Sequence, residues 1–436
     1  MSIVCKFGGT SLASAENVRR CAEIIKADER RRYVVASAPG KKHAADKKVT
    51  DLLIGCYANL NNEEGFNACF EGIKAAFVEI AKLVPSFPIE DELNSLYSEI
   101  RYALNGQDYV VSRGEYLSAK LLAAYLGYEF LDAARFIRFR GGELDLEQTI
   151  EQAKNINDGG RYVIPGFYGV DEHGYVKTFS RGGSDITGAI VARVFGAELY
   201  ENWTDVDGIF VADPRVISRA KKVEQVSYRE LREMSYMGAS VLHSETLLPL
   251  IDYPIPIHLR NTFAPEKEGT KIVKKRERVE DEEVIACVTG KNDYTCIQIS
   301  KMMLDKQLGF VKRVTSVFEE YRINISHTHS GLDNLCLFVE KSEYKTIDFD
   351  GFLSVLKERV DADKIKGYQD LALLAVVGHN LSEKVGILAT IFNALSKHDI
   401  GVRTVYQSPS ECNIIIGIEN RELMKAVQII YAELVG

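Results

Sequence analysis

The 436 residues predict an α/β fold. A mostly parallel sheet lies between helical layers and is followed by two ferredoxin-like βαββαβ units. Three observations carry this. Strand and helix signals alternate through roughly the first 260 residues. A sequence pattern that begins at Gly309 returns at Gly386. The repeated unit is one strand short, and an apolar run ahead of it can supply that strand.

The chain opens Ile3-Val4-Cys5-Lys6-Phe7-Gly8-Gly9-Thr10-Ser11, an apolar strand running into a lysine and a Gly-Gly turn. Ser14 is placed to cap a helix whose apolar residues Val18, Cys21, Ala22 and Ile25 recur at i, i+3, i+4 and i+7. Residues 32–38 form a β-branched run closed by Pro39-Gly40, hence a strand and then a loop, and 41–48 is polar and basic. Helical patterns cover 49–60, 65–83, 90–104 and 116–126. Ser112-Arg113-Gly114-Glu115 falls between strand and helix, in the spacing of a capping box. Strands are expected over 161–170 and 198–204, with a helix over 184–195 between them that Ser184 caps. Strands separated by helices imply a parallel sheet covered on both faces.

From Pro265 the chain turns dense in Lys, Arg, Glu and Asp, which marks a linker or a solvated hairpin at a domain boundary. After it, residues 309–325 match 386–402 in pattern, an offset that also aligns 295–300 with 372–377 and 335–339 with 412–416. Each unit reads strand, Gly-initiated helix, strand, strand, helix, one strand short of βαββαβ. The apolar run 284–289 has no other partner. It is expected to complete the sheet of the second unit, which makes the first an insertion within the second. The expected domains are 1–265, a linker over 266–283, a discontinuous unit of 284–294 with 370–436, and an inserted unit over 295–369.

Composition excludes several classes. A net charge of −8 without a long basic stripe argues against a nucleic-acid partner. No apolar run approaches the ~20 residues that cross a bilayer, and the Lys6 turn interrupts any signal peptide. Eight cysteines without CxxC spacing read as reduced thiols in a cytoplasmic protein. HExxH is absent, and His327 and His329, at i and i+2, read as surface or ligand-loop residues, so no protein metal site is expected. The GxxxxGK[ST] pattern is also absent.

Lys6 ends a parallel strand, where ligands of such sheets bind. A cation there neutralises a transferring phosphoryl group, and Gly8 and Gly9 let the backbone approach phosphate oxygens. A plain βα turn would explain an isolated KxGG equally well. In Arg181-Gly182-Gly183-Ser184-Asp185, a guanidinium beside a helix N-terminus makes a carboxylate or phosphate receptor. Asp185 is placed to hold Mg²⁺ or orient Lys6, or simply to begin a helix. Glu115 is a candidate acceptor for an ammonium group. Trp203-Thr204-Asp205-Val206-Asp207-Gly208, followed by Asp213-Pro214-Arg215, reads either as two turns or as a nucleotide-binding edge.

In their order along the chain, Lys6 to Ser11, Ser112 to Glu115, Phe179 to Asp185 and Trp203 to Gly208 with Asp213 to Arg215, these four elements resemble those of aspartate kinases, and the duplicated C-terminal unit resembles their paired ACT domains. The resemblance spans essentially the whole chain and implies an amino-acid-kinase-like αβα sandwich with two ACT domains. It implies ATP and Mg²⁺ as cofactors, and phosphorylation of the β-carboxylate of L-aspartate to 4-phospho-L-aspartate, the first step of lysine, threonine and methionine biosynthesis. By the same resemblance Lys6 stabilises the γ-phosphoryl group, Gly8 and Gly9 line its path, and Thr10 and Ser11 lie beside it. Asp185 organises Lys6 or the metal-bound phosphates. Arg181 clamps a substrate carboxylate with Ser184 next to it, and Glu115 meets the α-ammonium. Ser37 and Thr50 supply further aspartate contacts. Trp203, Thr204, Asp205, Asp207, Asp213, Arg215 and Lys221 form the ATP side. Asn324, Ile325 and Ser326 match the effector contacts of lysine-sensitive relatives, although many of those carry an acidic residue where Ser326 stands. Lysine is the expected effector, with threonine, or both together, the alternative, and a homodimer or dimer of dimers joined through ACT domains is expected. A β-carboxylate with a free pKa near ~3.9 is already ionised, so no general base is needed. Other kinases of the same fold (for acetylglutamate, carbamate or uridylate), a silent amino-acid sensor and a bifunctional kinase–dehydrogenase are the competing readings. The ACT pair and the joint presence of Glu115 and Arg181 argue against the first, intact Lys6, Arg181 and Asp185 against the second, and the third would need a dehydrogenase domain beyond the second ACT unit, which is not expected.

Overall fold

In a computed structural model the structure describes residues 2–102, 106–180, 182–239, 241–276, 284–407 and 412–436. The chain divides into two units. The first comprises 1–209, 222–235 and 240–278, and the second 210–221, 236–239 and 279–436. The segment 210–221 thus leaves the first unit in mid-domain and belongs to the C-terminal one.

The first unit is built on eight strands: β1 (Ile3–Phe7), β2 (Arg31–Ala36), β3 (Glu129–Phe130), β4 (Tyr162–Pro165), β5 (Leu199–Thr204), β6 (Gln225–Ser227), β7 (Ile257–Asn261) and β8 (Thr270–Val273). Their order is β6-β8-β7-β5-β1-β2-β4-β3, and only β7 with β8 pairs antiparallel. Its helices are α1 (Ala15–Lys26), α2 (Val49–Ala58), α3 (Glu63–Ala81), α4 (Ile89–Tyr102), α5 (Gln107–Leu126), α6 (Leu146–Ala153), α7 (Gly183–Val194) and α8 (Tyr228–Tyr236), the last reaching one residue past the division. β1 is buried along its whole length, as a central parallel strand covered on both faces must be. Ser14 caps α1 by accepting from the Asn17 N–H at 3.2 Å. One core cluster joins the inner faces of β1 and β2 to Phe66, Phe70, Ile73 and Phe77 of α3 and to Leu117, Leu121 and Leu122 of α5.

Three local expectations are corrected. Ser112-Arg113-Gly114-Glu115 does not start a helix: α5 begins five residues earlier, and the Ser112 hydroxyl donates to the Tyr109 carbonyl at 2.6 Å. The capping-box spacing had picked out a mid-helix i, i+3 pair. Ser184 is not the cap of α7. That position is Gly182, at φ 61°, which a residue without a Cβ adopts readily. The strand expected over 161–170 is broken at Gly166-Phe167, where Phe167 takes φ 79°.

The second unit holds β9 (Ile285–Ser300), β10 (His327–Ser330), β11 (Asn334–Glu340), β12 (Lys364–Gly378), β13 (Thr404–Tyr406) and β14 (Asn413–Glu419), in the order β10-β11-β9-β12-β14-β13. Its helices are α9 (Phe310–Glu320), α10 (Phe349–Arg359), α11 (Ile387–Lys397) and α12 (Leu423–Leu434). β9 and β12 are long strands shared by two half-sheets. Ile285 to Lys291 runs beside Gly378 to Leu373, and Cys296 to Ser300 runs beside Tyr368 to Lys364. The run ahead of the first repeat therefore completes the sheet of the second. Gly309 and Gly386 cap α9 and α11 with φ of 74° and 88°. Among the described residues no two cysteines are joined by a disulfide. Among the described residues no helix is long and apolar enough to cross a membrane.

Candidate active site

Lys6 is the fourth residue of β1, flanked in the sheet by Val35 of β2 and Asn202 of β5. Its ammonium is buried and lies 2.5 Å from Asp185 Oδ1, in the first turn of α7. The same oxygen accepts from Asn202 Nδ2 at 2.7 Å. Asn202 Nδ2 also donates to Tyr200 Oη at 3.1 Å, and that hydroxyl donates to the Asp185 carbonyl at 3.1 Å. Tyr200 reaches the helix because residue 188 is glycine; a Cβ there would lie 2.4 Å from Tyr200 Oη. Burial first, and then the Asp185 charge, hold the Tyr200 hydroxyl well above the usual phenol range, so it stays a donor.

The glycine turn follows directly. The Gly8 N–H is held by the Trp203 carbonyl at 3.0 Å, so Gly8 cannot offer it to a ligand. The N–H groups of Gly9, Thr10 and Ser11 have no acceptor among the described residues, nor do those of Gly183 and Ser184 at the start of α7. Two sets of free backbone donors beside one buried ammonium make an anion cradle. The loop after β2 lies against this turn. The Gly40 N–H donates to the Gly9 carbonyl at 2.8 Å, and a Cβ at Gly40 would sit 2.7 Å from the Gly9 carbonyl carbon.

The Trp203 ring is not available to a nucleotide. It is 1 % exposed, lies 6.1 Å from Phe7 and beneath Arg260, and donates from Nε1 to Glu201 Oε2 at 3.0 Å. Only its carbonyl serves the turn. Burial raises the Glu201 carboxyl, but donors from Arg31, Trp203 and Cys5 outweigh it and hold the group below its ordinary value. Ser11 is likewise buried, its hydroxyl 2.8 Å from that of Thr262.

Glu115 projects from the middle of α5 and is 5 % exposed. Burial pushes its carboxyl up to about 8, against a weaker lowering by the Ala38 backbone N–H. Its Oε2 is buried without a hydrogen-bond partner. Gly114 lets α5 approach the loop after β2, since a Cβ there would lie 2.8 Å from that of Ala38. Ser37 is buried at the end of β2 with its N–H on the Phe7 carbonyl at 3.2 Å. Thr50, in the first turn of α2, lines a cavity of about 510 Å³ with Asp108, Phe167, Phe179 and Ser180. Ser184 packs on Gly166, where a Cβ would lie 2.6 Å from its Oγ. Arg181 lies outside the described residues.

On the other side of β5, Asp207 accepts from Asn261 and Lys267, each at 2.6 Å, and the Lys267 and Asn261 donors hold it below its ordinary value. Thr204 Oγ1 is 3.3 Å from Asp205 Oδ1. Asp213, Arg215 and Lys221 belong to the second unit. There Arg215 pairs with Asp213 at 2.6 Å, and the Lys221 N–H donates to Tyr431 Oη of α12 at 2.8 Å. Asn324, Ile325 and Ser326 lie between α9 and β10. The Asn324 N–H donates to Glu343 Oε2 at 3.1 Å, and the Ser326 N–H to the Phe338 carbonyl at 2.8 Å.

Residues 1–261 match the amino acid kinase family, and 374–434 match an ACT domain. Aspartokinase 3 of Bacillus subtilis is 34 % identical over 449 residues, covering 99 % of this chain and 98 % of its own. The chain belongs to the aspartokinases. The crystal structure of aspartate kinase from Clostridium acetobutylicum superposes on this aspartokinase with a TM-score of 0.90 at 39 % identity, over 99 % of this chain and 100 % of that one. Aspartokinase III of Escherichia coli, covered in full on both sides, gives 0.81 at 25 % identity in its R-state complex with aspartate and ADP. In its T-state complex with lysine and aspartate it gives 0.76 at 26 %.

As an aspartate kinase, the chain has a site that motif reading covers unevenly. Of the residues described above, sequence motifs name Lys6, the glycine turn, Asp185 and Glu115. They do not name Asn202, Tyr200 or Gly40. The signal that could have found the first was a polar residue between Glu201 and Trp203 in a central parallel strand, where an apolar one is the rule.

Proposed function

We propose that the enzyme transfers the γ-phosphoryl group of ATP to the β-carboxylate of L-aspartate, giving 4-phospho-L-aspartate as the first step towards lysine, threonine and methionine. The observation that carries the substrate is Glu115: a buried carboxylate oxygen without a partner suits an α-ammonium, which would also favour its ionised form. The E. coli relative solved with aspartate and ADP supports the same reading.

In this reading the β-carboxylate oxygen attacks the γ-phosphorus, the bond to the β,γ-bridging oxygen breaks, and ADP leaves with that electron pair. The chain's work is alignment and charge neutralisation. Glu115, Ser37, Thr50, Ser184 and Arg181 hold the amino acid. Lys6 and the N–H groups of Gly9, Thr10 and Ser11 receive charge that builds on the phosphoryl oxygens. Thr204, Asp205, Asp207, Asp213, Arg215 and Lys221 take the nucleotide's other end. Among the described residues no three His, Cys, Asp or Glu side chains converge as a metal cage. Mg²⁺ would come with the nucleotide, with Asp185 the carboxylate at hand. Bound there, the ion supplies neutralisation of the phosphates.

Lysine is the proposed feedback effector, at Asn324, Ile325 and Ser326, with threonine the second candidate; the relative solved with lysine supports it. The same reading puts the enzyme in the cytoplasm, as a homodimer or dimer of dimers through its ACT units. An ATP-dependent hydroxamate assay offering aspartate, glutamate and acetylglutamate decides the substrate: aspartate alone should give product, and product from none rejects the reading. Lys6→Ala should lose about 10²–10³-fold in kcat while remaining folded by circular dichroism. A dose series of lysine and threonine tests the effector, and a flat response to both removes that part.

A further inference from the structure

We propose that Asn202 is a positioning residue for phosphoryl transfer, holding the Asp185 carboxylate in place when Lys6 turns to the phosphoryl group. This rests on the roles proposed above for Lys6 and Asp185. No motif of the chain contains Asn202 in that capacity, and the geometry singles it out. It is 2 % exposed, and Tyr200 is wholly buried.

The orientation of the amide is fixed by its neighbours. Tyr200 has one hydroxyl hydrogen, and the Asp185 carbonyl takes it. The hydroxyl can therefore only accept from Asn202. The Asp185 carboxylate also only accepts. Both contacts, 2.7 and 3.1 Å, require the NH₂ side of the amide to face them. A flipped amide would set its carbonyl oxygen against a carboxylate oxygen in a buried site. Asp185 Oδ1 is thus held by two donors, the Lys6 ammonium and the Asn202 amide, and the amide is fixed on its other side by Tyr200.

The division of labour follows from the chemistry. Lys6 neutralises phosphoryl charge by sharing its three ammonium donors between Asp185 and the phosphoryl oxygens, which leaves Asp185 with a weaker counter-ion. A buried carboxylate whose counter-ion weakens is driven to take up a proton or to swing towards water. Asn202 opposes both by keeping one strong donor on the same oxygen, and the Tyr200 bridge to the α7 backbone ties that donor to the helix carrying Asp185. The lysine can then serve both partners within a fixed frame.

The test uses full-length enzyme and three variants. Asn202→Leu should lower kcat about tenfold or more, with KM for aspartate and ATP within about twofold of the parent. Asn202→Asp, close to isosteric, sets a second carboxylate on Asp185. Its kcat should gain an acid limb displaced upwards by roughly one pH unit or more, because two adjacent carboxylates share a proton. Asp185→Asn controls for the underlying assignment. If Asp185→Asn is active, the assignment of Asp185 fails. If Asp185→Asn is inactive while Asn202→Asp keeps the parent's kcat and pH profile, the inference about Asn202 alone fails. Should Asn202→Leu not fold, the Asn202→Asp profile decides by itself.

Discussion

Glu115 carries more of the site's behaviour than its single charge suggests. Its folded carboxyl sits near 8, raised from an ordinary 4.5 by burial. Between those values the folded state binds the proton more tightly than the unfolded chain. The stabilisation is therefore complete below about 4.5 and is lost as pH rises towards about 8, a change of roughly a few kcal/mol. Thermal unfolding of the ligand-free enzyme should show this decline, and Glu115→Gln should flatten it. At pH 7 the group is mostly protonated, so capture of an ammonium expels up to about one proton. Calorimetric enthalpies of aspartate binding should then vary with the ionisation enthalpy of the buffer in the parent and not in Glu115→Gln; equal enthalpies in two buffers would reject the pairing. Glu115 was legible because a carboxylate beside Gly114 in that order is a motif. Asn202 was not, because its meaning lies in Asp185 and Tyr200, seventeen and two residues away, brought together only by the α7–β5 packing.

At the level of elements, the phosphate turn is shaped by a loop that no motif includes. Gly40 lies so close to Gly9 that any side chain must displace one of the two backbones. Gly40→Ala should cost about 1–3 kcal/mol of stability and raise the KM for ATP more than that for aspartate. A variant with parental stability and parental KM values would show that the turn tolerates the shift. Helices with one apolar stripe, such as α1, were readable from periodicity. α5 was read only over 116–126, and its first nine residues were missed, because Val110 to Glu115 are all buried and show no polar face. Periodicity reports a face only where the opposite face meets water. The same limit explains Trp203: its motif position is recognisable, but burial of the ring among Phe7, Arg260 and Glu201 is a property of neighbouring strands.

For the whole molecule, the repeat announced two ACT units, and their interleaving followed from counting strands. What no count reveals is the membership of 210–221, which is a matter of hydrogen bonds made far along the chain. Val211 accepts from the Val288 N–H at 2.6 Å, Val216 from Gln428 at 3.3 Å, and the Lys221 N–H finds Tyr431. Tyr431→Phe removes one acceptor, worth about 1 kcal/mol, and should raise the KM for ATP while leaving that for aspartate unchanged. An unchanged KM for ATP would mean the anchor is dispensable. A consequence follows in terms of reciprocity. A segment proposed to grip nucleotide is part of the body proposed to grip the effector, so binding of the one is linked to binding of the other. Whatever factor lysine imposes on the dissociation constant of an ATP analogue, the analogue must impose on that of lysine. Paired titrations should return one common factor, and a lysine effect on aspartate binding alone would break the link. Where that factor weakens the analogue, inhibition weakens as cellular ATP rises, making the effector a reporter of energy supply as well as of product.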